Sequence, residues 1–236
     1  AEQAAGLEDR VILAVRRVGK HIVCELGESI GGAPTGEWIV HLGMTGRLLV
    51  TTPEGEVAPH THARLRLASG RELRFVDPRR FGRLEFRQLS EANGFAGPGV
   101  EPLTVTPDDF ARLFRGRKLA IKAALLNQTL LHGVGNIYAD ESLFRAGIRP
   151  RRMAGRLKRV ELLRLHSAIQ EVLLRAIELG GSSVSDYVDA NGVRGFFQLQ
   201  HRVYLRTGEP CLVCGTLIRR VLVGGRGTHY CPTCQH

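Results

Sequence analysis

Residues 211–234 read CLVCGTLIRRVLVGGRGTHYCPTC, and this stretch decides how the end of the 236-residue chain folds. Cys211-Leu-Val-Cys214 and Cys231-Pro-Thr-Cys234 are separated by sixteen residues. Each C-x-x-C pair can chelate one side of a tetrahedral ion, and a hairpin of that length brings the pairs together. Four thiolates saturate zinc and leave no position for water, so the expected ion is a single structural zinc and not a catalytic one. Two unrelated redox pairs are the competing reading, which the spacing disfavours. Val221-Leu222-Val223 followed by Gly224-Gly225-Arg226-Gly227 reads as a strand entering a tight turn with Arg226 at its tip. Four thiolates and one divalent ion leave a local charge of about −2, and Arg219, Arg220 and Arg226 offset it with no acid between the pairs. Taken alone, such a ribbon serves RNA binding, protein contacts or simple stabilisation equally well.

The rest of the chain shares the basic character. It carries 33 Lys and Arg against 23 Asp and Glu, a formal net charge of +10, which points to a polyanionic partner. With 43% apolar and 24% charged residues it reads as an ordinary soluble globular protein. No apolar run approaches the roughly 20 residues a membrane span needs, and the charged residues among the first twenty exclude a signal-peptide core. Five cysteines, four of them paired for metal, suit a reducing compartment, so a cytoplasmic location is expected. Cys24 is left over and is expected to pack as a small apolar residue.

Working towards the N-terminus, the periodicity changes once. Val11–Val15 and Ile22–Cys24 are β-prone runs around a basic turn at residues 16–20. Arg64–Leu67 and Glu72–Phe75 alternate cleanly, with Ala68-Ser69-Gly70-Arg71 as a hairpin turn between them. Residues 27–36 are loop on composition, and antiparallel strands in this number suggest a sandwich or barrel. Residues 94–107 hold three prolines and three glycines and mark a linker. Thr106-Pro107-Asp108-Asp109 then supplies an N-cap, a first-turn proline and acids for a helix whose apolar face carries Phe110, Leu113 and Phe114. A longer amphipathic helix is expected over 157–179, with Val160, Leu163, Ile169, Val172, Leu173, Ala176 and Ile177 on its apolar face and Gly180-Gly181 as its stop. The expected class is therefore α+β in three parts: a β-rich sandwich over 1–100, a helical domain over 101–200 and a zinc-bound β-hairpin finger over 201–236.

Leu131-His-Gly-Val-Gly-Asn136-Ile-Tyr-Ala-Asp-Glu-Ser142 is a glycine-rich turn opening a helix. Free backbone N–H groups there suit a phosphate, and Asn136 can cap the helix or donate to one. Arg115, Arg117, Lys118 and Lys122 flank the preceding helix. An ordinary αα corner gives the same pattern. His60 and His62 form an H-x-H pair that would share one face of a strand and could bind metal, although no third ligand is evident.

Gly133–Phe144 together with the four-cysteine finger resembles the formamidopyrimidine-DNA glycosylases, as do His41-Leu-Gly-Met-Thr-Gly46, Asp77-Pro-Arg-Arg-Phe-Gly82 and Gly208-Glu-Pro-Cys211. The resemblance covers about residue 7 to His236. It implies a β-sandwich, a helix-two-turn-helix domain and a zinc finger, acting on double-stranded damaged DNA as a monomer in the bacterial cytoplasm and nucleoid. It implies base-excision repair: a DNA glycosylase for 8-oxoguanine and formamidopyrimidines that also cleaves the abasic strand by β,δ-elimination. The damaged base would be extruded. Met44, Arg79 and Phe81 match the residues that fill the void and meet the orphaned cytosine. His60, Arg117, Lys122 and Asn136 match DNA-backbone contacts, and residues 181–198 match a loop that closes over the base. Lys20 matches the proton donor for β-elimination. Arg226 matches the finger arginine of δ-elimination, where a permanently charged guanidinium is better suited to holding the leaving phosphate than to donating a proton.

The family's Pro-Glu-Leu-Pro-Glu start, which supplies the amine nucleophile and the catalytic glutamate, has no match in these residues, so this polypeptide as written is expected to have little or no glycosylase activity. Two other readings stand beside the main one. An endonuclease VIII relative would prefer oxidised pyrimidines and carries different wedges. A non-enzymatic protein would bind damaged DNA without cleaving it.

Overall fold

The computed structural model describes residues 5–89, 94–183 and 188–236. The chain divides into two compact units, Ala1–Gly97 with Gly180–Phe196, and Pro98–Leu179 with Phe197–His236.

The first unit holds seven described strands in two antiparallel sheets. β1 (Val11–Val18), β2 (His21–Gly27), β3 (Gly36–His41) and β7 (Arg83–Gln88) pair in the order β1-β2-β3-β7. β4 (Arg47–Thr51), β6 (Glu72–Val76) and β5 (Thr61–Arg66) pair in the order β4-β6-β5. Cys24, Leu26, Trp38 and Val40 of the larger sheet pack with Leu73 and Phe75 of the smaller one, so the alternating apolar faces close a sandwich. Cys24 is buried among them, and burial pushes its thiol up to about 11. The turn expected at residues 16–20 is shorter than the sequence suggests. Arg16, Arg17 and Val18 stay in β1 opposite Val23, Ile22 and His21, leaving Gly19-Lys20 as the turn. Arg16 remains in the strand because its guanidinium reaches Glu25 at 3.0 Å and the buried Glu37 at 2.6 Å. The β5–β6 hairpin forms as its alternation predicts, with Gly70 at φ +80° in the turn.

The second unit holds four described α-helices, α1 (Pro107–Phe114), α2 (Ile121–Leu126), α3 (Asn136–Arg145) and α4 (Arg159–Glu178), and the hairpin β8 (Arg219–Val223) and β9 (Arg226–Tyr230). Thr106 accepts the Asp109 N–H at 3.2 Å and caps α1, whose Phe110 and Phe114 are fully buried. Their partners include Ile121 and Leu125 of α2, Leu143 of α3, and Leu162, Leu165 and Ile169 of α4. The apolar stripe of α4 is rotated from the one expected. Leu162, Leu165, His166, Ala168, Ile169, Val172 and Ala176 are buried, while Val160 and Ile177 near the two ends are exposed. The helix has more apolar positions than one contact face can cover, so packing selects among them. Gln128 staples the two turns between α2 and α3: its Nε2 donates to the Leu126 and Val134 carbonyls, and its Oε1 accepts the Gly133 N–H. Among the described residues no helix is long and apolar enough to cross a membrane.

Candidate nucleic-acid interface and zinc centre

In the second unit the four sulfurs of Cys211, Cys214, Cys231 and Cys234 lie within 4.8 Å of one another. Cys211 and Cys234 approach to 3.9 Å and Cys214 and Cys231 to 3.4 Å. A tetrahedron with Zn–S bonds of ~2.3 Å has edges of roughly 3.8 Å, so the sulfurs already stand near ligand spacing. Backbone N–H groups of Val213 and Cys234 point at the Cys211 and Cys231 sulfurs. Burial pushes the Cys231 and Cys234 thiols up, and a divalent ion is what allows so crowded a set to ionise. The donor set therefore fits one structural zinc. Gln235 braces it, accepting the Cys231 N–H and donating to the Ile148 carbonyl, each at 2.9 Å.

The hairpin above this knuckle turns at Gly224-Gly225, both at positive φ, which leaves Arg226 exposed at the first position of β9. The next residue is held from below. The Gly227 carbonyl accepts from Lys122 Nζ at 2.9 Å and from Asn136 Nδ2 at 3.1 Å, and Lys122 also donates to Thr228 Oγ1 at 2.8 Å. A Cβ on Gly224 would stand 3.1 Å from that of Ala123, so the turn rests directly on α2.

Two expectations are revised here. Lys122 is not a surface cation: it is fully buried and pairs with Asp140 at 2.6 Å. Burial lowers its pKa, and Asp140 acts against that shift. Asn136 does not cap α3, because Gly135 occupies the cap and Asn136 Nδ2 donates to the finger. Both side chains therefore fix the strand that carries Arg226. Arg117 stays exposed outside this cluster, its Nε donating to the Leu113 carbonyl at 2.6 Å.

Asp140 and Glu141, adjacent on α3, have roles that the sequence reading missed. Asp140 accepts the His229 N–H at 2.8 Å, and Glu141 accepts three backbone N–H groups, from Arg202, Val203 and Tyr204. Burial raises the pKa of Glu141 even so. No local signal marked the pair, since residues 123–144 hold no lysine or arginine.

In the first unit, Met44 and Phe81 are 60% and 53% exposed, unusual for large apolar side chains. They share one place on the surface. The Arg79 guanidinium lies 4.8 Å from the centre of the Phe81 ring, and its Nη1 is 3.9 Å from the Met44 sulfur. Asp77, fully buried, holds the two loops together: Thr45 Oγ1 donates to Oδ1 at 2.5 Å and the Gly82 N–H to Oδ2 at 2.7 Å. Burial opposes ionisation of Asp77, but hydrogen bonds from Thr45, Gly82 and Arg79 outweigh it and keep the carboxyl below its ordinary value. The quoted motif contained this residue, yet its role as the lock was not read.

Asp77 also fixes the histidines. Its N–H donates to the His60 carbonyl at 3.0 Å, and His62 Nε2 lies 2.9 Å from the Asp77 carbonyl. His60 precedes β5 with φ +65°, so it and His62 do not alternate along a strand as expected. Neither belongs to a metal-ligating group among the described residues. Lys20 turns β1 into β2 beside His21, which is opposite His41 at the end of β3. The chain leaves that same end of β3 towards Met44, and Arg83 opposite His41 follows the Phe81 loop. Lys20 and both wedge loops thus share one end of the sheet. Residues 184–187 of the expected closing loop lie outside the described residues. Its base is pinched, the Gly195 N–H donating to Ser183 Oγ at 2.8 Å, and Ala190 accepts the Val50 N–H at 2.8 Å.

Comparison with known proteins agrees with this arrangement. Family models match in three consecutive blocks: the formamidopyrimidine-DNA glycosylase N-terminal domain over 1–84, its H2TH domain over 98–188, and a zinc finger found in FPG and IleRS over 208–236. The formamidopyrimidine-DNA glycosylase of Solibacter usitatus is 50% identical over 232 residues, covering 98% of this chain and 84% of the relative. That of Symbiobacterium thermophilum is 45% identical over 239 residues, covering 98% and 75%. Among solved structures, the MutM (Fpg) protein of Thermus thermophilus superposes with a TM-score of 0.85 at 44% identity, covering 98% of this chain and 85% of that one. Lactococcus lactis Fpg in complex with DNA containing an abasic site gives a TM-score of 0.85 at 35% identity, covering 96% and 83%. With three blocks in order and half the residues identical to a relative along almost the whole chain, this protein belongs to the formamidopyrimidine-DNA glycosylase family.

Proposed function

We propose that this chain is the lesion-recognising and DNA-binding part of a base-excision glycosylase and abasic-site lyase for oxidised purines in duplex DNA, 8-oxoguanine and formamidopyrimidines. The observation that carries the reading is the exposed Met44–Arg79–Phe81 group on loops locked by one buried carboxylate. Two apolar wedges and a guanidinium on a rigid frame suit a duplex from which one nucleotide has been removed. They favour an oxidised-purine site over the oxidised-pyrimidine alternative. His60 and Arg117 contact the DNA backbone, and Lys122 and Asn136 act as positioning residues for the finger. Lys20 donates the proton for β-elimination and Arg226 holds the departing phosphate. The zinc supplies folding energy to the finger and no chemistry. The family's proline amine and glutamate have no counterpart among these 236 residues, so the carbinolamine-forming step is assigned to none of them. The protein works on this reading as a monomer in the bacterial cytoplasm, on nucleoid DNA.

Two measurements test it. This chain should bind a duplex with an abasic-site analogue at least about tenfold tighter than an undamaged one, and M44A/F81A should lose that preference while keeping undamaged-duplex affinity. Equal affinity for the two duplexes would remove the lesion-recognition reading. Borohydride trapping with a version of this chain given the family's N-terminal Pro-Glu segment should yield a covalent adduct on an 8-oxoguanine duplex. An adduct with oxidised pyrimidine alone selects the endonuclease VIII reading, and none on either duplex leaves a binding protein. The 236-residue chain run in parallel should form no adduct.

A further inference from the structure

A cleft of about 640 Å³ opens in the second unit at the C-terminal end of α3. Phe144, Val172, Phe197 and Val213 give it apolar walls, and Arg145, Arg164, Arg175 and Arg202 stand around it. Asn136, which holds the finger strand, begins α3, and Arg145 ends it. Nine residues of helical rise separate these two ends by about 13 Å, so the cleft is apart from the turn assigned to DNA.

Its charges are not all spent. Arg145 pairs with Glu171 at 2.6 Å and Arg175 with Glu178 at 2.9 Å. Arg164 and Arg202 are exposed. Arg152 bonds Glu161 directly, and Arg164 lies near enough to help it hold that carboxyl below its ordinary value. The Arg202 main chain is fixed, its N–H donating to the buried Glu141 at 2.9 Å, so that side chain projects from a rigid point. The acids in the lining are already engaged, Glu141 by three backbone N–H groups and Glu171 by Arg145. Val213 is 70% exposed at the rim and Leu212 beside it 58%, which extends the apolar surface outwards. A phosphate groove has no use for phenylalanine and valine walls, whereas a short peptide bearing both acids and apolar anchors matches both halves of the lining.

We propose that this cleft docks an acidic segment of a protein partner, with Arg164 and Arg202 meeting its carboxylates and one apolar side chain of the segment lodged between Phe144 and Val213. The site lies beyond the lesion-binding reading and does not depend on it.

Fluorescence anisotropy tests this with a labelled ten-residue peptide in which glutamates alternate with leucine and phenylalanine, and a control with glutamine at each glutamate. The expected result is saturable binding of the acidic peptide, at least about tenfold weaker binding of the control, and a similar loss in R164E/R202E. Saturating undamaged duplex should leave peptide binding unchanged. Zinc content and duplex affinity report whether the variant is folded. If they fall, R164Q and R202Q singly carry the test, since both keep the backbone bonds. Absence of saturable binding, equal binding of the glutamine control, or displacement of the peptide by duplex would overturn the proposal, the last by making the cleft part of the nucleic-acid surface.

Discussion

Lys122 and Asp140 form an ion pair of 2.6 Å in which neither side chain is exposed to solvent, and both reach the finger strand, Lys122 at Gly227 and Thr228, Asp140 at His229. The pair is thus a clamp between two helices and the strand that begins at Arg226. Removing one member leaves a buried charge without compensation, so K122M should destabilise the second unit by about 3–5 kcal/mol. K122M/D140N, with the charge removed from both sides, should recover most of the loss. Hydrogen exchange at the His229 amide reads the clamp locally. Protection that is unchanged in K122M would show that the finger does not depend on it.

Gly43 and Phe81 give the second prediction. Gly43 has φ +68°, and a Cβ there would stand 2.9 Å from the Phe81 carbonyl carbon and the Gly82 nitrogen, atoms of the backbone that cannot swing away. G43A should therefore cost about 1–3 kcal/mol and displace the two wedge loops relative to each other. D77N should loosen the same loops by a different route, through Thr45 and Gly82. Both variants should lose preference for an abasic-site duplex over an undamaged one. Titration of the two duplexes side by side decides it, and a retained preference in both would mean that the frame is not what orients the wedges.

These two examples also mark what the sequence made legible. Short-range chemistry was readable: the C-x-x-C spacing, the Thr106 cap, and the Ala68–Arg71 turn between alternating strands all depend on residues close in the chain. The family motifs further led to Met44, Arg79 and Phe81, which the fold brings together. Roles set by distant partners were not readable. Asp140 finds Lys122 eighteen residues back and His229 eighty-nine residues on, and nothing local distinguishes it from a solvated helix acid. Lys122 looked like one more cation in a basic run until packing enclosed it. The phase of α4 failed for a related reason: Leu162 and Ala176 are buried beside the exposed Val160 and Ile177, so the face of the helix that packing covers, not its length, decides which apolar residues are enclosed.

Arg226 should act on duplex DNA through charge. It is exposed at a turn of two glycines with its neighbour Gly227 pinned, so the guanidinium is presented from a fixed backbone. R226A should weaken binding to damaged and undamaged duplexes alike and reduce the slope of log K against log salt by about 0.9. R226K should keep most of the slope, because the charge survives. Affinity measured at several salt concentrations separates these outcomes, and an unchanged slope in R226A would place Arg226 away from phosphate.

His201 gives the second unit a dependence on acid. It is 9% exposed, among rings that include Phe197 and Tyr204. Burial lowers its pKa to about 4, the Tyr204 backbone acts the other way and His229 adds to the lowering. The unfolded chain would titrate this imidazole near 6.5. Between those values the unfolded state holds the extra proton, so stability rises with pH across about 4 to 6.5 and is lost as pH falls through the same window. A shift of this size corresponds to roughly 3 kcal/mol. Denaturant unfolding at pH 7 and pH 4.5 should show most of that difference, and H201F should shrink it by keeping an aromatic ring that cannot take a proton. An equal loss on acidification in H201F would assign the dependence to other groups, among them the thiolates whose protonation releases zinc.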